Sequence, residues 1–473
     1  MLIHGERKEG TEKIEVFSPY SGECVGKVAK CSVDLIPEIM KAAEMGAAQM
    51  RKMSVNDRAK ILYGVSHQLL EQKERFAKVL VKEVGKTIRD ACKEVERAAN
   101  TLKLSAEAAG AICGEVIPVE QDAGGVRTGF YQRVPVGVVL AVTPFNFPLN
   151  LACHKMGPAF AAGNSVIVKP ASKTPLTAMM LGELFLSCGL PKDAVTVVCG
   201  SGRELGNALV ADSRVRKISF TGSYQAGDEI CKNAGVKKIT MELGSTSAVV
   251  VSKDTDIKIA AEKLCRAGFA NAGQVCISVQ RVYVHNSVKD ELLSDMKRCA
   301  LSVKCGDPSE KDTDLGPMIS RDALIRAQER VQRSIAMGAR LVTGNITEGN
   351  IFYPTILKDA PENAPVIQEE MFAPVITVNG YETLDEAIQK VNHTPYGLQA
   401  AILTEKIEEA MRFADEAEFG GIIINDTCNY RVDQMPYGGL KNSGIGKEGP
   451  GFAIKEMTEM KMIVMNGSVQ GAL

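Results

Sequence analysis

The chain has 473 residues, 45% of them hydrophobic, and its 56 Lys and Arg against 57 Asp and Glu leave a formal net charge of −1. That length supports two or three cores of ordinary domain size, and a near-neutral balance without a long Lys/Arg run removes the electrostatic footprint of a nucleic-acid or anionic-membrane binder. The opening MLIHGERKEGTEK has no apolar signal-type stretch, and no later segment approaches the roughly 18 uninterrupted apolar residues of a membrane span, so the expected location is cytoplasmic and the expected partners are small molecules. From 34 to 111, apolar residues recur at three- and four-residue spacing in LIPEIMKAAEMGAAQM, RAKILYGVSHQLLEQKERFAKVLVKEVG and VERAANTLKLSAEAAGAI, which predicts three amphipathic helices. GVVLAVTPFN then opens an alternation of short apolar strands and helices: NSVIVKP before TPLTAMMLGELFLSCG, AVTVVCG before GRELGNALVA, VRKISFTG before SYQAGDEICKNAG. A second series follows ITMELG, running from SAVVVSKD through IKIAAEKLCRAGFANA, SVQRVYVHN and KDELLSDMKRCALS to APVITVNGY, QAAILTE and GGIIIND. Such alternation indicates βαβ units and parallel sheets, here two α/β domains meeting near residue 243. KMIVMNGSVQ reads as a terminal strand whose partner is distant in sequence or lies in another subunit.

Thirteen cysteines are scattered singly without a Cys-x-x-Cys pair, the pattern of neither a disulfide framework nor a zinc site. The five histidines share no helix face and flank no carboxylate cluster in sequence, so no metal centre is expected. A free cysteine is most often a small buried hydrophobe, and Cys276, in FANAGQVCISVQ, has to be distinguished from the other twelve by its context.

That context is a set of polar residues at strand ends. Asn146 in TPFNFPLN sits on a loop leaving a buried strand, fenced by Pro144 and Pro148, whose fixed φ restricts it. Lys169 closes the strand of VIVKPAS at the carboxyl edge, where open α/β sheets bind ligands. Glu242 ends another strand between Met241 and Leu243, and burial there would raise its pKa toward that of a general base. GSGRELG, Gly200 to Gly206, is a weak dinucleotide fingerprint and equally a plain strand-turn-helix corner. FTGSYQAG puts Gly222 and Ser223 at the start of a helix, where an ordinary N-cap and a phosphate site look alike.

Taken in order, PFNFPLN, VKPAS, FTGSYQAG, MELG, GQVCIS, EEMFAPV and MPYGGLKNSGIGKEG resemble the motifs of the aldehyde dehydrogenase superfamily across nearly the whole chain. The resemblance implies an α/β fold of two Rossmann-like parallel-sheet domains with a small β oligomerisation arm. It places an NAD(P)-binding domain in 1–116 and 136–242, a catalytic domain in 243–438, and the arm in 117–135 and 455–473. It implies that Cys276 is the nucleophile, Glu242 the general base, and Asn146 an oxyanion donor beside the backbone N–H of Cys276. It further implies cofactor contacts from Phe145, Lys169, Ser172, Gly222, Ser223, Glu370 and Phe372, and proton handling by Lys155 and Glu448.

The chemistry needs these residue types: a thiolate to attack the aldehyde, donors for the oxyanion, and a base to activate the water that hydrolyses the thioester. Ser172 stands where strongly NAD-preferring members carry Glu, and Lys173 adjoins it, so NAD and NADP both remain open. The pattern is closest to the branch of lactaldehyde and phosphate-independent glyceraldehyde-3-phosphate dehydrogenases, which implies a small polar or hydroxylated aldehyde. Val275, where the phosphorylated-substrate enzymes carry Arg, weakens the second half of that comparison. Arg431 is a candidate clamp for an anionic substrate tail, with a surface ion pair to Asp433 as the plainer alternative. A homodimer or homotetramer is expected. A CoA-acylating enzyme would typically lack Glu242, a cysteine hydrolase would need a His near the thiol, and His285 falls in a strand; a catalytically silent binding protein on this fold would not need Cys276, Glu242 and Asn146 together.

Overall fold

The computed structural model describes residues 1–119 and 127–466. Four short strands precede the helical region: Leu2–Ile3, Glu6–Arg7, Lys13–Phe17 and Cys24–Ala29. Periodicity does not reveal elements this short. The helical region holds four helices rather than three, Ile36–Lys52, Val55–Glu71, Lys73–Val84 and Ile88–Ala109. The stretch with one continuous apolar period breaks at Gln72, whose backbone (φ −98°, ψ 19°) leaves the helix without a Gly or Pro to announce it. The other boundaries are conventional: Ser54 and Thr87 accept the backbone N–H of Asp57 and Asp90, and Gly85 ends its helix in the left-handed region.

The first sheet runs, edge to edge, Glu6–Arg7, Leu2–Ile3, Val195–Val197, Ser165–Lys169, Val138–Val142, Val215–Thr221, Lys238–Glu242 and Gly444–Ile445. Its five central strands are parallel, with Val142 opposite Lys169 and Thr221 opposite Glu242, so the loops that carry the candidate residues leave from one edge. Alternation sorts its faces: Val139, Ala141, Val166 and Val168 pack toward the helices at 55–109 and 150–161, while Val138, Leu140 and Ile167 pack with Ile39 and Ala43.

The second sheet begins six residues later with Ala248–Val251 and orders Arg340–Thr343, Thr355–Lys358, Val375–Tyr381, Arg281–His285, Ala248–Val251, Gln399–Leu403 and Gly421–Ile424, all parallel except the first edge strand. The chain then returns: Gly444–Ile445 pairs antiparallel with Lys238–Glu242, setting Gly444 opposite Glu242. A third, three-stranded antiparallel sheet joins Glu115–Ile117, Arg127–Pro135 and Thr458–Asn466. The terminal strand therefore has its distant partner within the same chain, and its predicted last residues, 467–470, lie outside the described ones. The first strand of this sheet starts at Glu115, and the helix Pro450–Glu456 precedes the last one. All thirteen cysteines are free thiols. Among the described residues, no helix is long and apolar enough to cross a membrane.

Candidate active site

The nucleophile candidate is positioned by a chain reversal. The helix Ile257–Phe269 ends in a turn where Asn271, Ala272 and Gly273 all have positive φ, 50°, 55° and 66°. A Cβ at Gly273 would lie 2.1 Å from the carbonyl oxygen of Ala373, so this position requires glycine. Gln274 locks the turn: its Nε2 donates to the Asn271 carbonyl and its Oε1 accepts the backbone N–H of Ile319. The carbonyl of Gln274 accepts the Asn146 amide at 2.9 Å, which ties the loop of the first sheet to the segment bearing Cys276. Asn146 and the nucleophile candidate thus meet across the two sheets.

The Asn146 loop has its own support. Glu94, fully buried, accepts the backbone N–H groups of Leu149 and Asn150 at 3.0 and 3.2 Å, and its other oxygen pairs with buried Lys86. Lys86 in turn lies 3.6 Å over the ring of Phe147.

Cys276 is half-buried, and its Sγ lies 2.8 Å from the hydroxyl of Tyr437. Arg431 stacks on the Tyr437 ring at 3.6 Å and donates to Glu448 at 3.0 Å. The other oxygen of Glu448 accepts from Lys155 at 2.8 Å, and Lys155 also donates to Thr221. Burial raises the Cys276 thiol to about 11, with Glu242 and Glu370 adding to the rise and Tyr437 and Arg431 opposing it.

The two carboxylates of the site are driven apart. Glu242, at the end of its strand, is buried with neither oxygen hydrogen-bonded. Burial, then the charge of Glu448, holds its pKa well above the ordinary carboxylate range, despite Arg431, Lys155 and Lys447. Burial also works against the charge of Glu448, but Lys155, Arg431 and His154 outweigh it and bring that group down to about 2. The raised carboxyl is therefore the one placed to exchange a proton, while its neighbour stays ionised.

The residues assigned to the cofactor form a second group at the same sheet edge. Lys169 is buried, and among the described residues its ammonium makes one hydrogen bond, 3.4 Å to the carbonyl of Pro170. Burial lowers its pKa. An ammonium so poorly satisfied fits an incoming ribose hydroxyl. Ser223 caps the helix Tyr224–Asn233 and Gly222 donates to the Glu242 carbonyl. Ser172 donates to the carbonyl of Gly200. Glu370, raised to about 7 by burial, accepts the backbone N–H of Ser245 at 3.1 Å, an approach that the absent side chain of Gly244 permits. Phe372, at φ 48°, sets its ring edge-on to Phe145 at 5.7 Å. These groups suit a nicotinamide dinucleotide, and the charge of Glu370 also disfavours the Cys276 thiolate.

Two expectations need correction. Arg431 is not a surface residue paired with Asp433: its side chain is 9% exposed and bound to Glu448, while Asp433 takes Arg97, Asn150 and His154. His154 does lie beside carboxylates, 3.1 Å from Asp433, because the fold folds residue 433 back over the helix Asn150–Ala161. No group of three His, Cys, Asp or Glu able to hold a metal occurs among the described residues. Sequence reasoning passed over Tyr437, the nearest polar neighbour of Cys276; the available signal was an aromatic with a hydroxyl inside the Gly-Gly motif. A cavity of about 650 Å3 is walled by Arg89, Asp90, Lys93, Glu262, Asp426 and Arg431 among others, and Cys276 is not part of its wall.

A model of the aldehyde dehydrogenase family matches residues 6–463. The chain is 43% identical over 467 residues to a 3-sulfolactaldehyde dehydrogenase of Priestia aryabhattai, covering 98% of each. It is 38% identical over 473 residues to a lactaldehyde dehydrogenase of Methanococcus aeolicus, covering 98% of this chain and 100% of that protein. The crystal structure of the glyceraldehyde-3-phosphate dehydrogenase GapN from Methanocaldococcus jannaschii, complexed with NADP, superposes with a TM-score of 0.93 at 37% identity over 97% of this chain and 100% of that one.

Proposed function

The chain belongs to the aldehyde dehydrogenase family, and from that membership we propose that it oxidises a small polar or hydroxylated aldehyde to its carboxylate, with NAD or NADP, through a thioester on Cys276 that water hydrolyses. In this reading Cys276 attacks the aldehyde carbon, and the Asn146 amide and the backbone N–H of Cys276 bind the oxyanion, at about 3–4 kcal/mol for a donor of this kind. Phe145, Lys169, Ser172, Gly222, Ser223, Glu370 and Phe372 hold the cofactor, whose nicotinamide supplies the hydride acceptor when bound. Glu242 takes the proton of the water that attacks the thioester, while Lys155 and Glu448, the pair expected to handle protons, hold each other in an ion pair in which Glu448 stays ionised. The observation that carries the hydrolytic route is the buried, unpartnered carboxylate of Glu242: release to CoA needs no such base.

Small aldehydes offered with NAD or NADP should give reduced cofactor without CoA, and Cys276→Ser should abolish this, since an alcohol is a far poorer nucleophile than a thiolate. Turnover that requires CoA, or that survives Cys276→Ser, would overturn the reading.

For the substrate tail, Arg431 is part of the cavity wall, which it shares with Asp90, Glu262, Asp314 and Asp426, and its buried Nε has no hydrogen-bond partner; that unmet donor supports an anionic group there, set against the charge that Glu448 already meets. Arg431→Leu should raise KM for an anionic aldehyde roughly tenfold to a hundredfold, the ~1.5–3 kcal/mol of a charge-assisted hydrogen bond, and leave KM for lactaldehyde or propanal nearly unchanged. Equal KM effects on charged and neutral aldehydes would remove Arg431 from substrate binding. The same reading divides the chain into an NAD(P)-binding unit (1–116, 136–242), a catalytic unit (243–438) and an oligomerisation arm (117–135, 455–473), and makes the protein a cytoplasmic homodimer or homotetramer, in keeping with its thirteen free thiols.

A further inference from the structure

The Tyr437 hydroxyl touches the Cys276 sulfur, and the charges of Arg431, Glu242 and Glu370 also act on that thiol. Both carboxyls disfavour a thiolate, as does burial, so a nucleophile held in this place needs a compensating donor. The Tyr437 hydroxyl lies 2.8 Å from Sγ, and both side chains end where the two sheets meet. Tyr437 itself is 2% exposed and fixed by reciprocal backbone hydrogen bonds with Glu448. Its ring carries the Arg431 guanidinium 3.6 Å from the centroid, and Glu448 holds that cation in position. A cation over a phenol ring withdraws electron density and strengthens the O–H as a donor.

We propose that Tyr437 is a catalytic residue: backed by the Arg431 cation on its ring, its hydroxyl donates a hydrogen bond to the Cys276 thiolate and so sets the fraction of nucleophile present. The S–H bond of Cys276 breaks and its proton passes to solvent water, which the partly exposed side chain reaches; the Tyr437 proton stays on its oxygen, and no bond to carbon changes. Burial and the neighbouring sulfur charge hold the Tyr437 phenol well above its ordinary pKa, which keeps it a donor throughout the working range. The consequence for the reaction rests on Cys276 being the nucleophile, as proposed above.

Alkylation of Cys276 by iodoacetamide, followed by mass spectrometry of the Cys276 peptide as a function of pH, needs neither aldehyde nor cofactor and reads the thiolate directly. In Tyr437→Phe the profile should move up by about one pH unit, a roughly tenfold slower alkylation at pH 8, with the pre-steady-state acylation rate falling in parallel and KM unchanged. Replacement of Tyr437 by 3,5-difluorotyrosine, a stronger donor of nearly the same shape, should move the profile down, and this arm reads the hydrogen bond even if the phenylalanine variant fails to fold. A profile superimposed on that of the unaltered enzyme in either folded variant overturns the proposal. If the profile moves but alkylated enzyme keeps its dehydrogenase activity, the hydrogen bond stands and the nucleophile assignment alone fails.

Discussion

Glu242 and Glu448 show how far a residue's chemistry depends on its neighbours. Both are carboxylates buried in the same site, yet one lacks a hydrogen bond and is pushed up while the other is shared by Lys155 and Arg431 and is pulled down to about 2. Only the first is free to take up and give back a proton as a base. A base must be ionised to work, so turnover should fall as pH drops through the raised pKa of Glu242. Glu242→Gln should remove that limb and stall the thioester: rapid-mixing absorbance should show a burst of reduced cofactor followed by very slow turnover, with an acyl adduct on Cys276 by mass spectrometry. Unchanged steady-state turnover would assign the base elsewhere. The strand-terminal position of Glu242 was legible in MELG, but its missing partners were not, because the groups that leave it alone come from residues 431 to 448.

Among the elements, the loop at 143–149 carries Asn146 and is held from outside by Glu94 and Lys86 on the helical region. Glu94→Gln keeps an acceptor for the two backbone N–H groups but leaves the Lys86 cation buried without its counter-charge, a change that costs about 3–5 kcal/mol in comparable buried pairs. Urea unfolding should show a loss of that order, and adding Lys86→Met should restore much of it. In contrast, Glu94→Leu releases the loop, and kcat should fall by on the order of tenfold to a hundredfold as the oxyanion donor drifts. A Glu94→Leu enzyme with normal kcat would show that the loop holds itself. Ser172, on the turn after the Lys169 strand, tests the cofactor side: Ser172→Glu should shift the ratio of kcat/KM toward NAD over NADP by ~1–3 kcal/mol through repulsion of a 2′-phosphate. No change in the ratio would place Ser172 away from that ribose.

For the whole molecule, the three-stranded sheet leaves Met460, Met462 and Val464 exposed, three apolar residues at the alternating spacing of one strand face. A face of this kind on an otherwise mixed surface suits association. If the proposed oligomer forms through this face, Met462→Asp with Val464→Lys should lower the molar mass seen by light scattering on a sizing column to that of a smaller assembly while thermal unfolding stays cooperative. An unchanged mass would put the subunit contact elsewhere.

What the sequence by itself determined was the set of local elements and the residues standing at their ends. Strand and helix periods, the Pro-fenced Asn146 loop, the strand-terminal Lys169 and Glu242, and the Ser223 cap all follow from interactions within a few residues, and each is where the pattern put it. The break at Gln72 and the short N-terminal strands escaped because nothing local marks them. Tertiary structure alone decided what faces Cys276. The return of the chain at Gly444–Ile445 lays residues 431 to 448 across the end of the first sheet, and only then do Tyr437, Arg431 and Glu448 meet a thiol, an unpaired carboxylate and Lys155 from far apart in the chain. Burial makes those meetings count, since away from bulk solvent each hydrogen bond or charge present or absent shifts a proton equilibrium strongly.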